Sequence, residues 1–179
     1  MNDLKAADMT AKKTLSSPSF EITLVEPEIP NNTGNIGRTA VATNSRLHIV
    51  HPIGFDMDSS ARKRAGLDYW QHLDYQEHEN WNAYLSSTRP PRAWLFSTKG
   101  TRSHWEADFA PGDHLIFGKE SAGISPEARL EFEAQYGADS VLRVPMHPNS
   151  GVRSLNLANV VALATFEGLR QIEVLNSKT

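Results

Sequence analysis

The chain has 179 residues, 39% hydrophobic and 22% charged, the size and balance of one soluble globular domain and not of a coiled coil, a long disordered region or a collagen-like array. Eighteen Lys and Arg against 21 Asp and Glu leave a net charge of −3, so composition carries no global electrostatic footprint for nucleic acid or an anionic membrane. The chain has no cysteine, which excludes disulfide frameworks, thiolate zinc sites and cysteine nucleophiles and fits a reducing compartment such as the cytoplasm.

Residues 1–18 mix acids and bases without an apolar core segment, so a disordered N-terminal tail is expected there and not a secretory signal; residues 19–179 read as a single domain. Residues 20–25 alternate apolar with polar and predict a strand, closed by the turn-rich Glu26-Pro-Glu-Ile-Pro30. A helix is expected over 33–44, then a strand over 47–50, a helix near 79–87, and a strand over 93–96. A strand over 115–117, a helix over 126–136, a strand over 141–144 and a long helix over 155–174 complete the pattern. Alternation of this kind predicts an α/β fold, a mainly parallel sheet with helices on both faces. Ligands of such sheets sit beyond the carboxyl ends of the strands, so the loops there are the ones to search. The longest weakly polar run, 155–166, falls well short of the roughly 20 residues that span a bilayer, and no membrane partner is expected.

Several chemistries lack their signatures. There is no G-x-G-x-x-G, no phosphate-binding P-loop and no G-x-S-x-G nucleophile elbow. Gly118-Lys119 only looks like a P-loop end, because residues 113–117 before it contain no glycine. His48 and His51 lie three apart on a predicted strand and should face opposite sides, and no histidine has the Asp/Glu spacing of a ligand set, so no metal is expected.

Three post-strand loops remain. The first runs Glu26-Pro-Glu-Ile-Pro-Asn-Asn-Thr-Gly-Asn-Ile-Gly-Arg38. It fits a backbone-exposing loop that admits a polyanion, with Arg38 offering a planar fork to phosphate or ribose oxygens; it fits equally a helix capped by Asn32 with a solvated arginine. In the second, Phe117-Gly-Lys-Glu-Ser-Ala-Gly-Ile-Ser125, Ser125 and Pro126 suit a helix start, which leaves Gly118, Glu120 and Gly123 for close approach to a ligand. The third, Val144-Pro-Met-His-Pro-Asn-Ser-Gly-Val-Arg-Ser-Leu-Asn156, opens the last helix, and Ser154 and Asn156 also suit simple capping.

In order and spacing, Asn32-Thr-Gly-Asn-Ile-Gly-Arg38, Phe117-Gly-Lys-Glu-Ser-Ala-Gly123 and Val144-Pro-Met with Ser154-Leu-Asn156 together resemble the three motifs of the SpoU branch of SPOUT RNA methyltransferases. The stretches Glu26-Pro-Glu-Ile-Pro30, Arg46-Leu-His-Ile-Val50 and Arg64-Ala-Gly-Leu-Asp-Tyr69 narrow the resemblance to members that methylate the wobble nucleotide of tRNA, cytidine or modified uridine, on the ribose 2′-hydroxyl. The resemblance implies a C-terminal deep trefoil knot, S-adenosylmethionine as cofactor, tRNA as partner and a homodimer whose interface builds the active sites. By position in the motifs it implies cofactor contacts at Phe96, Thr98, Gly118, Val144, Ser154, Leu155 and Asn156, and catalytic roles for Arg38, Asn156, Ser154, Glu120 and Asn32. Arg38 would orient phosphate and stabilise the developing alkoxide, since a guanidinium with pKa above ~12 is a poor proton acceptor. Arg38, Lys99, Arg143 and Arg153 are the expected RNA contacts.

Two departures from the motif pattern bear on the substrate side: Gly151 and Val152 stand between Ser150 and Arg153, and Ala122 stands where a basic residue is often found. Methylation of ribosomal RNA or another tRNA position, and non-catalytic RNA binding on the same fold, remain the alternatives. Charge is uneven along the chain: residues 89–102 hold Arg89, Arg92, Lys99 and Arg102 without an acid, and 36–64 hold five bases against Asp56 and Asp58. Locally basic segments near the motifs are therefore expected despite the acidic total.

Overall fold

The computed structural model describes residues 16–55 and 68–176; the expected tail lies almost wholly outside them. Seven strands, β1 (Glu21–Val25), β2 (Arg46–Val50), β3 (Tyr75–His78), β4 (Ala93–Phe96), β5 (Arg102–Ser103), β6 (His114–Gly118) and β7 (Val141–Arg143), form one sheet in the order β3-β2-β1-β6-β4-β7-β5. Every pairing in it is parallel. Among the described residues the α-helices are α1 (Pro30–Ala42), α2 (Trp81–Thr88), α3 (Pro126–Tyr136) and α4 (Leu157–Asn176).

Strand alternation sorts the core into two layers. Ile22 and Leu24, Leu115 and Phe117, and Trp94 and Phe96 point to one side, where Ile36 and Ala40 of α1 and Ala158, Val161 and Ala164 of α4 cover them. Val25, Ile116, Ala93, Leu95 and Val141 point to the other, under Tyr84 of α2 and Phe132 of α3. Helices thus lie on both faces, as the alternating pattern predicts. β3 and β5 went unpredicted because they are the sheet edges: β3 buries only His78 fully and β5 is two residues long, so neither carries an apolar signature.

One helix start differs from expectation. α1 begins at Pro30, and Asn32 lies buried in its first turn instead of capping it. Proline at the first helical position has the right φ and no N–H to leave unpaired. The glycines of this stretch therefore sit inside a helix, and one admits a neighbour. A Cβ on Gly37 would lie 2.9 Å from Cζ3 of Trp70 and 3.2 Å from Cδ2 of Leu73, at the short 3₁₀ helix Asp68–His72 and the residue after it. Helix propensity alone favours Gly37→Ala by about 1 kcal/mol, whereas overpacking against a ring costs about 1–3 kcal/mol. A lower urea midpoint for Gly37→Ala is expected, and a raised one would mean that α1 and the 68–72 turn are not in close contact.

Beneath α2 the sheet carries a buried polar network. Thr23 Oγ1 donates to the Tyr84 hydroxyl at 2.9 Å, and that hydroxyl meets His114 Nδ1 at 2.7 Å. His48 bridges His78 Nε2 at 2.9 Å and Glu21 Oε2 at 2.8 Å, and Arg46 joins Glu21 to Asp74. Burial, followed by the nearby His48, pushes His78 down to about 4 and His114 down to about 3. The unfolded chain takes up these two protons near pH 6.5, and the folded protein refuses them until the lower values. Stability should then fall as pH drops from about 6.5 towards 4, by up to about 1.4 kcal/mol per pH unit for each histidine. Denaturant midpoints across that range check this, and a flat profile would show that the histidines titrate alike in both states. His48 is buried within β2, while His51, one residue past the end of that strand, is part-exposed and paired with Glu77 at 2.9 Å. Among the described residues no cluster with metal-ligand composition occurs, and no helix is long and apolar enough to cross a membrane.

Candidate active site

β1 and β6 are neighbours in register, with Val25 opposite Gly118, so the loops that follow them leave the sheet side by side. Reciprocal carboxylates join the two loops. Glu120 Oε2 accepts the Glu28 N–H at 2.9 Å and Oε1 accepts the Ile29 N–H at 3.3 Å. In return Glu28 accepts the Ser121 N–H at 2.9 Å and the Ser121 hydroxyl at 2.8 Å. Lys119 Nζ pairs with Glu26 at 2.7 Å. The Ser121 backbone bond, then its hydroxyl bond, holds the Glu28 carboxyl below the usual range, and the bond to Glu26 raises Lys119. Gly118 has φ +107°, and a Cβ there would come within 2.3 Å of the Val25 carbonyl oxygen, so this glycine is demanded by the fold before any ligand is considered.

The same carboxylate reaches the third motif. Asn32 Nδ2 donates to Glu120 Oε1 at 3.2 Å, and Asn156 Nδ2 donates to Asn32 Oδ1 at 3.0 Å. Asn156 Oδ1 in turn accepts the Ala158 N–H at 2.9 Å, capping α4. A backbone N–H only donates, so the cap sets the orientation of the Asn156 amide, which sets that of Asn32, which points its NH₂ at Glu120. Residues 88 and 124 positions apart along the chain become one hydrogen-bonded line across three loops. Both oxygens of Glu120 are engaged by N–H donors, which makes it an organiser of the loops. The capping alternative for Asn156 and its site role are thus compatible, because the cap uses the oxygen and leaves the nitrogen to bridge.

The other expected site residues are spread around this line. Arg38 is exposed on α1 with its guanidinium carbon 4.4 Å from the centre of the Tyr69 ring. Six residues beyond Asn32, it lies about 9 Å further along the axis and about 240° round the helix, so it does not point into its own chain's Asn32–Asn156 line. Phe96 is buried and stacked on Phe117 at 4.7 Å, which leaves its backbone for any ligand. Phe96, Ser97 and Lys99 face Ala122, Gly123 and Ile124 across a groove floored by α3 residues; Thr98, Gly118, Val144, Ser154 and Leu155 do not line it. Thr98, Ser154 and Leu155 are exposed and Val144 is half-buried. Lys99, Arg143 and Arg153 are exposed on the loops or strand ends at this side.

Pairing within the fold consumes much of the expected basic segments. Arg92 is tied to the buried Asp113 at 2.8 Å and to the Asp108 carbonyl. Arg102 donates to the carbonyls of Asp139 and Glu106, and Arg46 belongs to the buried network described above. These arginines hold the fold together, which local charge counting does not detect. The loop-joining residues Glu26, Glu28, Lys119 and Ser121 were also missed as site builders. Their signal is complementary composition, acids in one post-strand loop and donors in the other, and it is readable only once β1 and β6 are known to be adjacent.

The SpoU rRNA methylase family matches residues 19–166, and the chain belongs to that family. It is 45% identical over 159 residues to a tRNA (cytidine(34)-2′-O)-methyltransferase of Saccharophagus degradans, covering 89% of this chain and 99% of that one. It is 49% identical over 154 residues to a protein of the same name from Polaromonas, covering 85% and 90%. A solved structure described as giving insight into 2′-OH methylation of C/U34 on tRNA superposes with a TM-score of 0.74 at 41% identity, covering 86% of this chain and 96% of that one.

Proposed function

We propose that this protein is an enzyme that transfers a methyl group from S-adenosylmethionine to the ribose 2′-hydroxyl of the wobble nucleotide of tRNA, a cytidine or modified uridine, in the cytoplasm. The observation that carries the reading is the Glu120–Asn32–Asn156 line, which draws the three motif loops together at one end of the sheet. Near-full-length relatives named for cytidine-34 support the choice of nucleotide.

The residues present suit the cofactor. Gly123 has φ +72°, and a Cβ there would meet nothing nearer than the Gly118 carbonyl oxygen at 3.9 Å, so its bare backbone opens beside the groove at Phe96–Lys99. Of the expected cofactor residues Phe96 lines that groove; backbone groups of Thr98, Gly118, Val144 and Leu155 would hold S-adenosylmethionine from outside it, with Ser154 and Asn156 directing ribose towards it. When bound, S-adenosylmethionine would supply an electrophilic sulfonium methyl with a thioether as leaving group, and the proton of the attacking 2′-hydroxyl would leave to water or a phosphate oxygen. Arg38 orients the phosphate and stabilises the alkoxide as it develops. Lys99, Arg143 and Arg153 supply further phosphate contacts. Glu120 and Asn32 keep the loops in a geometry where positioning itself is worth several kcal/mol, roughly 7–11 in the best cases.

A homodimer completes this reading, because Arg38 points away from its own chain's line and would serve a second copy's site. Exposed Leu155, Leu163 and Phe166 beside or on α4 offer apolar surface for that copy. The chain is also proposed to be knotted: β7 enters the sheet between β4 and the earlier β5, and the segment after it crosses back to reach Asn32 beside β1.

Transfer of labelled methyl from S-adenosylmethionine to total tRNA, followed by mapping of the modified ribose, tests the function. Label at the wobble ribose is expected. Label confined to ribosomal RNA would reject the substrate, and failure of the folded protein to bind the cofactor by calorimetry would favour a non-catalytic RNA-binding role.

A further inference from the structure

His104 sits where β5 gives out. Ser103, the last residue of β5, is paired in parallel with Arg143, the last of β7, so His104 follows its strand at the end of the sheet where the Val144–Asn156 loop begins. The turn there is tight: the Ser103 hydroxyl oxygen accepts the Trp105 N–H at 3.2 Å, and the Ala107 N–H returns to the His104 carbonyl at 3.3 Å. It leaves Trp105 67% exposed and His104 1% exposed, the reverse of what transfer out of water favours for an indole and an imidazole. Inside, neither ring nitrogen makes a hydrogen bond. Burial holds the imidazole below its ordinary pKa against the smaller opposing pulls of the Arg143 main chain and the Glu167 carboxylate, so at neutral pH the ring is uncharged and carries one N–H and one lone pair. A buried polar side chain without partners is uncommon and keeps the full penalty of its desolvation.

Two of the loops assigned to S-adenosylmethionine start at this ring. The Phe96 ring lies 6.4 Å away, centroid to centroid, and Phe96 ends β4 just before Ser97 and Lys99 of the groove. Arg143 immediately precedes Val144. We propose that His104 is a positioning residue for the cofactor: its ring N–H closes on the Arg143 carbonyl as the Val144 loop closes on S-adenosylmethionine, and that bond fixes the root of the loop. The inference rests on the cofactor reading above. Of the two groups that act on the ring, the Glu167 carboxylate already accepts three N–H donors from Arg170 and Gln171 at 2.7–2.9 Å, whereas a main-chain carbonyl has two lone pairs and takes the bond without giving up another. A bond made only in the loaded protein adds to cofactor affinity, because a ligand shifts an equilibrium by its differential interaction with the two states.

The test titrates the full-length protein with S-adenosylmethionine by calorimetry, beside thermal melts without it. His104→Leu should bind about three- to tenfold more weakly, the effect of losing one hydrogen bond. Its Tm without cofactor should match or exceed the parent's, since an apolar side chain replaces two buried nitrogens that have no partner. A histidine that only supports the fold gives the opposite pair, a lowered Tm with parental affinity, and that result overturns the proposal. In the parent with isotope-labelled histidine, the His104 ring N–H resonance, assigned by its loss in His104→Gln, should move downfield on adding S-adenosylmethionine as the proton enters a hydrogen bond. If His104→Leu does not fold, this titration of the parent decides. Parental affinity in His104→Leu, or a ring N–H that the cofactor leaves unmoved, overturns the role of His104 and leaves the cofactor reading standing. A folded parent that binds no S-adenosylmethionine overturns both.

Discussion

Arg38→Ala is expected to lower methyl transfer to tRNA about 10²–10³-fold, the loss typical of removing one donor that stabilises charge developing in a transition state. S-adenosylmethionine affinity should hardly change, because Arg38 lies on α1, away from the groove between Phe96–Lys99 and Ala122–Ile124. Single-turnover transfer and calorimetry on one preparation separate the two effects. Arg38→Lys should recover little, since an ammonium offers a point charge where a planar fork, stacked on Tyr69, is needed. Parental activity in Arg38→Ala would remove Arg38 from the mechanism.

The second large effect is expected at Glu120. Its two oxygens accept three N–H donors, from Glu28, Ile29 and the Asn32 amide. Glu120→Gln keeps the shape and replaces one acceptor oxygen with an NH₂. Whichever way the new amide turns, it confronts at least one N–H donor with another. Hydrogen bonds to a charged group are worth about 1.5–3 kcal/mol, and a chain of this size loses roughly 2–4 °C of Tm per kcal/mol. A fall in Tm of about 3–12 °C follows from those two ranges. Activity should drop further than stability accounts for, since the Asn32–Asn156 bridge loses its anchor; at a temperature where the variant is fully folded, kcat should still be down at least about tenfold. Loss of Tm with unchanged kcat would make Glu120 a structural clamp alone.

These two residues also show how far the sequence reaches. Glu120 and Arg38 stand out because Gly118, Gly123 and the Asn-rich stretch exceed what capping requires, and the motif order points to SpoU-type chemistry. Strand and helix placement is equally legible: α3 runs over Pro126–Tyr136 and β4 over Ala93–Phe96, as the apolar periods and the Ser125-Pro126 start predict. α1 is the instructive exception. A helix is expected there only from residue 33, with Asn32 as its cap, yet it starts at Pro30, because proline suits the first helical position and Asn32, buried in the first turn, bonds to Glu120 and Asn156 instead of capping.

The basic segments mark the opposite limit. Counting charges along 89–102 suggests a nucleic-acid face, but Arg92 and Arg102 bind Asp113 and main-chain carbonyls. A net charge of −3 and a run of bases are both blind to pairing, which is a property of the folded surface.

The sequence by itself determined the alternating strands and helices and, through the resemblance carried by its three motifs, the SpoU family, because apolar period, turn residues and motif order are local quantities written along the chain. Only the tertiary structure decided that Glu120, Asn32 and Asn156 form one line, that Glu28 and Glu120 exchange carboxylates across adjacent loops, and that Tyr69 lies on Arg38. Those arrangements depend on which strands are neighbours in the sheet and how close α1 comes to a turn some thirty residues away. Hydrogen bonds and stacking act over a few ångströms, and no spacing in a linear chain specifies distances of that order between residues so far apart.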